Sequence, residues 1–229
     1  WPEALKVWRT LLELRPDCVA THLAFGAACY EVGEFDLARE SFHRAVKLQP
    51  DSLSALLNLA LSLQKLNQFQ DALECFRRGL TLDPQKSDIY KGMGDIYRDL
   101  GRWADAFAAW QKALELRPDY AEAWQNLGLG LEYQNRLDEA LACHRRVVQL
   151  RPNNSTAHRY LGMVCQDMGE LETARNCYHQ ALELDPNDAE AHWALFSLLA
   201  AQGDFSSAWE EHEWRWQIKN RTTPKREFE

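Results

Sequence analysis

The sequence predicts an all-α solenoid in which antiparallel helix pairs repeat with a period of 34 residues. Three observations support this prediction: a proline recurs at a fixed interval, an alanine recurs at another fixed place, and two amphipathic patterns separate successive prolines. Six of the eight prolines follow one another at steps of 34 residues. They are Pro16, Pro50, Pro84, Pro118, Pro152 and Pro186.

The first half of each repeat has the pattern of an amphipathic helix. When a repeat is counted from the third residue after a proline, its positions 4, 7, 8 and 11 form one helical stripe. In the third repeat these positions hold Tyr90, Met93, Gly94 and Tyr97. Position 15 is always glycine or asparagine, the residues that best tolerate a left-handed backbone. We therefore expect the first helix to end in a tight turn near position 15.

The second half of each repeat predicts a second helix. Position 20 is alanine in all six repeats, and position 24 is an aromatic residue or histidine. Small residues at positions 8 and 20 allow the two helices to approach each other closely. The proline then ends the second helix, and an aspartate or asparagine follows it, where we expect it to cap the next helix. These residues are Asp17, Asp51, Asp119, Asn153 and Asn187.

The repeat spacing also predicts the domain organisation. Residues 1–18 have the pattern of the second helix of an interrupted repeat, and residues 19–188 comprise five complete repeats. Residues 189–218 form a divergent sixth repeat, and residues 219–229 a junction or tail. Neighbouring repeats of this kind must stack to bury their apolar faces.

Composition excludes several classes of function. The formal net charge of -8 disfavours binding to nucleic acid and to anionic membrane surfaces, which both require basic patches. No apolar run approaches the roughly 18 residues of a membrane span, so we expect no direct membrane insertion. The six cysteines are dispersed and include no C-x-x-C pair, which favours a reducing, cytoplasmic compartment.

The sequence contains no pattern typical of an active site, a cofactor site or a metal site. Most of the cysteines and histidines recur at the same repeat positions, such as Cys29 and Cys165 at position 11, which indicates a role in packing. A phosphate-binding loop, a nucleophile elbow and an H-E-x-x-H motif are all missing. We therefore expect a non-catalytic protein that needs neither cofactor nor metal.

The motifs resemble those of a known repeat family. W-x-x-L-G at residues 124–128, A-x-x-x-W at residues 106–110 and Pro118 are similar to the signature of the tetratricopeptide repeat, which also has a 34-residue period. The resemblance implies a right-handed superhelix with a core along its length. It also implies a concave groove that binds an extended peptide or a helix, so the expected partner is another protein or peptide.

In that family the groove is lined by positions 2, 5, 6, 9 and 12 of the first helices. We expect Lys91, Asn126, Arg159 and Tyr160 to be neighbours on one wall and to pair with carboxylate or carbonyl groups of a partner. The full set of candidate groove residues is Asn58, Lys91, Arg98, Gln125, Asn126, Tyr133, Arg159 and Tyr160.

Two binding modes of the family can be tested against these residues. The carboxylate clamp of chaperone-binding members is matched by Lys91 and Asn126, but Asp95, Thr156 and Tyr160 stand where the clamp requires other residues. The asparagine ladder of O-linked N-acetylglucosamine transferases is matched at position 6 only by Asn58 and Asn126. The charge and identity of the partner therefore stay open.

The last repeat departs from the others in the stretch AWEEHEWRW at residues 208–216. Three tryptophans exceed what a polar terminal cap needs. We expect a domain-packing surface formed by Trp209, Trp214 and Trp216. Residues 203–216 also resemble the last repeat of bacterial tetratricopeptide arrays that lead into glycosyltransferase-like domains, akin to O-linked N-acetylglucosamine transferases or heptosyltransferases.

Two hypotheses of function follow. The first is a non-catalytic scaffold that binds a polypeptide in its groove. The second is the substrate-recruiting arm of a larger bacterial glycosyltransferase whose catalytic domain lies beyond Glu229. A third alternative, self-association, rests on the apolar residues of the incomplete first repeat, among them Trp8, Leu11 and Leu12.

Overall fold

The computed structural model describes residues 7–8, 10–12 and 14–214. In this part of the chain every regular element is a helix, and twelve α-helices have defined bounds, so the predicted all-α class of antiparallel helix pairs is confirmed. The six described residues from 7 to 14 are also helical. The chain divides after Pro118 into two compact units.

Unit 1, which ends at Pro118, contains three helix pairs. Each first helix packs on the second helix of its own repeat, and the next first helix then packs on that second helix. The first helices of neighbouring repeats also contact one another. The helices are α1 (Val19–Glu31), α2 (Phe35–Leu48), α3 (Leu53–Lys65), α4 (Phe69–Leu82), α5 (Ser87–Asp99) and α6 (Trp103–Leu116).

Unit 2, which begins at Asp119, repeats this arrangement with three further pairs. Two of its first helices, α9 and α11, contact each other directly. The last second helix, α12, has only 8 residues within its defined bounds. The helices are α7 (Ala121–Tyr133), α8 (Leu137–Leu150), α9 (Ser155–Asp167), α10 (Leu171–Leu184), α11 (Ala189–Ala201) and α12 (Phe205–His212).

The turns within the pairs have the predicted left-handed residue at position 15. Asn67 and Asn135 are the non-glycine residues with positive φ, at 58° and 57°, in the described part of the chain. The other four repeats use glycine there, for example Gly33 with a φ of 85°. The backbone NH groups that follow bond back to carbonyl groups of the preceding helix, as Gln68 does to Leu63 at 2.8 Å. The predicted site of chain reversal is therefore confirmed.

The predicted helix caps were wrong by one residue. Asn153 and Asn187 lie in the turn after the proline, and the next residue in each case is the cap. The Asn154 side chain accepts a hydrogen bond from the Ala157 NH at 2.9 Å, and Asp188 accepts one from Ala191 at 3.0 Å. Three residues separate the end of each of these second helices from the next cap, for example residues 151–153 between Leu150 and Asn154, so the last non-helical position falls one residue later than predicted.

A steric fit between positions 8 and 24 joins the two helices of a pair. A Cβ atom added to Gly94 would lie 2.5 Å from ring atoms of Trp110, and one added to Gly162 would lie 2.6 Å from Tyr178. Both rings are almost completely buried. Because a side chain at position 8 would occupy the volume of the ring, these glycines allow the helices to approach each other.

Four of the cysteines are part of this interior. Cys29, Cys75, Cys143 and Cys165 are buried, as their repeat positions predicted. Burial raises the pKa of Cys75 to about 11 and that of Cys143 to about 12. At neutral pH these groups are therefore neutral thiols that behave as small apolar side chains.

Candidate functional site

In unit 2 a cavity of about 350 Å³ lies between the first helices α9 and α11. One wall is formed by α9 and the other by α11, and the Tyr178 side chain of α10 contributes to the lining. Cavity residues that the sequence positions assign to the groove include Arg159, Met163, Gln166, Trp193, Ala194 and Ser197. Of these, only Arg159 was among the predicted site residues.

Arg159 is buried and bound within the chain. Its Nε donates to Asp188 Oδ2 at 3.2 Å, and its Nη1 pairs with Glu190 Oε2 at 2.6 Å. Asp188 also caps α11 through its other carboxylate oxygen. The guanidinium lies 5.0 Å from the centre of the Tyr160 ring. Arg159 thus links α9 to the start of α11, and its charge is offset by two carboxylates.

Tyr160 lies beside Arg159, and its other neighbour is His144. The two rings stack with their centres 5.9 Å apart. His144 is buried, and its Nε2 lies 2.6 Å from Glu132 Oε1. Tyr160 is therefore held between a cation on its own helix and a histidine on α8.

Acidic and apolar groups complete the cavity. Asp167 is exposed at the end of α9, and burial of part of its carboxylate together with the nearby Glu132 charge raises its pKa. Gln166 accepts a hydrogen bond from the Tyr178 hydroxyl at 2.8 Å. Met163 is 36% exposed, and Trp193 is partly buried with its ring 4.7 Å from Phe196. The available signal for the missed residues was their repeat position: Trp193 is at position 5, Ala194 at position 6, Met163 and Ser197 at position 9, and Gln166 at position 12.

The remaining predicted residues of unit 2 lie on α7. Gln125 and Asn126 are partly buried, and Tyr133 is 74% exposed at the end of the helix. They belong to a different helix from the cavity walls. Their role in binding remains a prediction.

In unit 1 the predicted cations are also paired within the chain. Lys91 Nζ lies 2.7 Å from Asp95 Oδ2, and Asp95 accepts a hydrogen bond from Trp110 Nε1 at 3.0 Å. Arg98 donates twice to Asp99, at 3.0 and 2.8 Å. A partner's carboxylate would have to compete with these acids.

Asn58, the other predicted residue of unit 1, lines a smaller cavity. This cavity has a volume of about 170 Å³. Tyr30 and Glu31 of α1 line it together with Leu61 of α3. Unit 1 therefore has its own cavity between first helices, to whose lining Asn58 contributes an amide.

The predicted domain-packing surface is only partly described. Trp209 is 66% exposed, and Phe205, one turn earlier on α12, is 71% exposed. Trp214 instead stacks on His192 with ring centres 4.1 Å apart and planes at 3°. Trp216 and residues 219–229 lie outside the described residues. Trp214 therefore packs within the last repeat, whereas Trp209 and Phe205 form an open aromatic face.

In the part of the chain that the structure describes, no helix is long and apolar enough to cross a bilayer. The same residues contain no group of three or more histidine, cysteine or acidic side chains arranged to hold a metal ion.

Comparison with solved structures shows the same fold in other proteins. TTC0263, a thermophilic TPR protein from Thermus thermophilus, is 25% identical, with a TM-score of 0.65 over 80% of this chain and 100% of that one. YrrB, described as a TPR protein with an unusual peptide-binding site, is 20% identical, with a TM-score of 0.58 over 82% and 96%. The Cut9–Hcn1 hetero-tetramer of the APC/C gives 19% identity and a TM-score of 0.78 over 94% and 43%.

Family models match the sequence along most of its length, whereas a comparison with curated protein sequences found no match. The TPR repeat model matches residues 94–132 and 164–203. Two models described as tetratricopeptide repeat match residues 54–86 and 121–154, and residues 1–52. Together with the helix pairs described above, these matches show that the chain belongs to the tetratricopeptide repeat family.

Proposed function

We propose that the protein is a non-catalytic interaction scaffold that holds a polypeptide segment in the groove of unit 2. The observation that supports this most directly is the cavity between α9 and α11. It combines apolar side chains, Met163 and Trp193, with hydrogen-bonding groups on Gln166 and Ser197. An extended polypeptide needs both, since it presents side chains and unpaired amide groups together.

The size of the cavity favours a chain segment over a large compact ligand. A volume of about 350 Å³ is at the lower end of the range for small-molecule sites. It accommodates one or two side chains, while the peptide backbone continues along the neighbouring first helices. YrrB, which has a similar fold, is described as having a peptide-binding site.

The cavity of unit 1 is a second contact region in this proposal. Asn58 can donate to and accept from a peptide group beside its cavity. Lys91 and Arg98 contribute when a partner's acid replaces Asp95 or Asp99 in their ion pairs. Within unit 2, Gln125, Asn126 and Tyr133 of α7 are further candidate contact residues.

Photo-crosslinking tests the proposal. p-Benzoylphenylalanine in place of Ser197, which lines the cavity, is expected to crosslink to polypeptides in a cell lysate. The same group in place of His179, an exposed residue of α10 outside the cavity lining, is the matched control. We expect the crosslinks at position 197 to disappear with Trp193→Ala and with Met163→Ala, each checked for an unchanged circular dichroism spectrum. Equal crosslinking from position 179, or crosslinks indifferent to both variants, would contradict the proposal.

The recruiting-arm hypothesis is supported by a different observation. Phe205 and Trp209 form an exposed aromatic face on α12, and exposed aromatic faces of this kind are typical of docking surfaces. A glycosyltransferase-like domain beyond Glu229 would cover this face. Hydrogen exchange of α12 should then be slower in a longer natural chain that includes such a domain than in residues 1–229. Identical exchange in the two proteins would contradict the hypothesis.

A further inference from the structure

The cavity between α9 and α11 has an excess of negative charge. Among the described residues that line it, Arg159 is the one cation, and Asp188 and Glu190 both pair with it. Those three groups already carry a net charge of about -1 at neutral pH. Asp167 adds a further carboxylate to the lining.

Asp167 has no basic partner among the described residues. No salt bridge or side-chain hydrogen bond to its carboxylate is found in this part of the chain. Partial burial and the Glu132 carboxylate raise its pKa, which means that the surroundings disfavour its charge. A cation supplied from outside would relieve this repulsion.

The apolar part of the cavity suits the rest of such a group. Lysine and arginine have long methylene stems that pack on apolar surfaces while their charged ends reach polar partners. Trp193 and Met163 provide that surface, and an indole ring also attracts a cation near its face. An acidic side chain, by contrast, would approach the two carboxylates that line the cavity, Asp167 and Glu190, and a cation that is already paired.

We propose that the cavity between α9 and α11 receives a basic side chain, lysine or arginine, of the bound polypeptide. The Asp167 carboxylate is its ion-pair partner, and Trp193 and Met163 contact its stem. This inference rests on the proposed function and adds the chemistry of the partner. It also differs from the sequence-based expectation, in which Arg159 binds a carboxylate or carbonyl group of the partner.

The test begins with a random library of 12-residue peptides, selected on the immobilised 229-residue chain. Peptides retained by the wild type and lost with Trp193→Ala are expected to be enriched in lysine or arginine at one position. If Trp193 makes no difference to any selected peptide, both the proposed function and this inference fail. If Trp193-dependent peptides lack an enriched basic residue, the inference alone fails.

A double-mutant cycle then identifies the ion pair. One selected peptide and its variant with the basic residue replaced by glutamine are measured by fluorescence polarisation against wild type and Asp167→Asn. Each single change should weaken binding about tenfold, and the two together no further, because both remove the same interaction. Glu183→Gln, which removes an exposed charge from α10, is the matched control and should leave affinity unchanged. Independent losses that multiply to about a hundredfold would overturn the assignment of Asp167.

Discussion

The two faces of α9 differ in what determines their residues. On the inner face, Gly162 leaves room for the buried Tyr178 ring of α10. On the groove face, Arg159 and Asp167 carry opposite charges within one helix, and only Arg159 is paired with the neighbouring helix. The residues of the inner face are determined by the volume available between the packed helices. The properties of the groove face depend instead on which of its charged side chains form ion pairs in the folded chain.

The same contrast recurs in the other repeats. In the first five, position 8 is glycine or alanine, and it faces a ring at position 24 that is at most 1% exposed. The groove positions of these repeats share no such rule. In the last repeat Phe196 occupies position 8, and its ring lies 5.0 Å from that of His212. The interior residues thus follow a pattern that indicates the fold, whereas the residues of the groove and of the last repeat differ from one repeat to another.

The largest expected effect is the loss of stability when an interior side chain is truncated. Leu127 is 6% exposed, so Leu127→Ala should lower the free energy of unfolding by about 2–5 kcal/mol through lost burial and a residual cavity. Leu184→Ala, at a position 37% exposed, should have a clearly smaller effect. Urea denaturation followed by circular dichroism measures both. Equal effects of the two changes would break the distinction between interior and surface.

A smaller loss is expected when the interior gains one atom. The Trp110 ring is fully buried and its Nε1 is bonded to Asp95, so it cannot easily move away from a new Cβ at Gly94. Gly94→Ala should therefore destabilise by about 1–3 kcal/mol, even though alanine favours helices. Ala60→Gly at the same repeat position is the comparison, with an expected loss of about 1 kcal/mol from helix propensity. Stabilisation by Gly94→Ala would show that the ring shifts freely.

Next in size is the removal of the groove cation. Arg159→Met keeps most of the stem but leaves Asp188 and Glu190 without their shared partner. We expect the unfolding free energy to fall by roughly 1–2 kcal/mol, since hydrogen bonds to charged groups are lost. Lys112→Met, which removes only an exposed pair with Glu115, should change it by about 0.5 kcal/mol or less. An unchanged stability combined with lost peptide binding would instead make Arg159 a binding residue, as its sequence position suggested.

The fold was predictable because its signals are local and periodic. The left-handed turn at Asn67 and the steric pair of Gly94 and Trp110 depend on residues a fixed distance apart within one repeat. The helix caps were misplaced by one residue because the length of the turn after each proline is not visible in the periodicity.

The site was less predictable because its charges pair between repeats. Arg159 meets Asp188, 29 residues later, and this contact depends on how α9 and α11 stack. The sequence alone presents Arg159 as an available cation, and it gives Asp167 no greater weight than any other exposed acid. Periodicity therefore predicts which residues face the groove, whereas the pairing of their charges depends on how the repeats stack and requires the structure.

The smallest predicted effect separates binding from stability at the groove. The pKa of Asp167 is raised in the folded state, so the folded chain binds a proton at this carboxylate more readily than the unfolded chain does. The free energy of unfolding therefore falls as the pH rises through the interval above the ordinary aspartate pKa. Asp167→Asn should thus slightly increase the unfolding free energy at neutral pH, and this gain should vanish at pH values below that interval. Asp204, the cap of α12, has a pKa lowered by hydrogen bonds from Ser207, so Asp204→Asn should have the opposite sign. Thermal unfolding between pH 3 and 7 distinguishes them. In this interpretation Asp167 lowers the stability of the fold and increases the affinity for a basic partner, whereas Gly94 contributes to stability. A loss of stability in Asp167→Asn at neutral pH would contradict it.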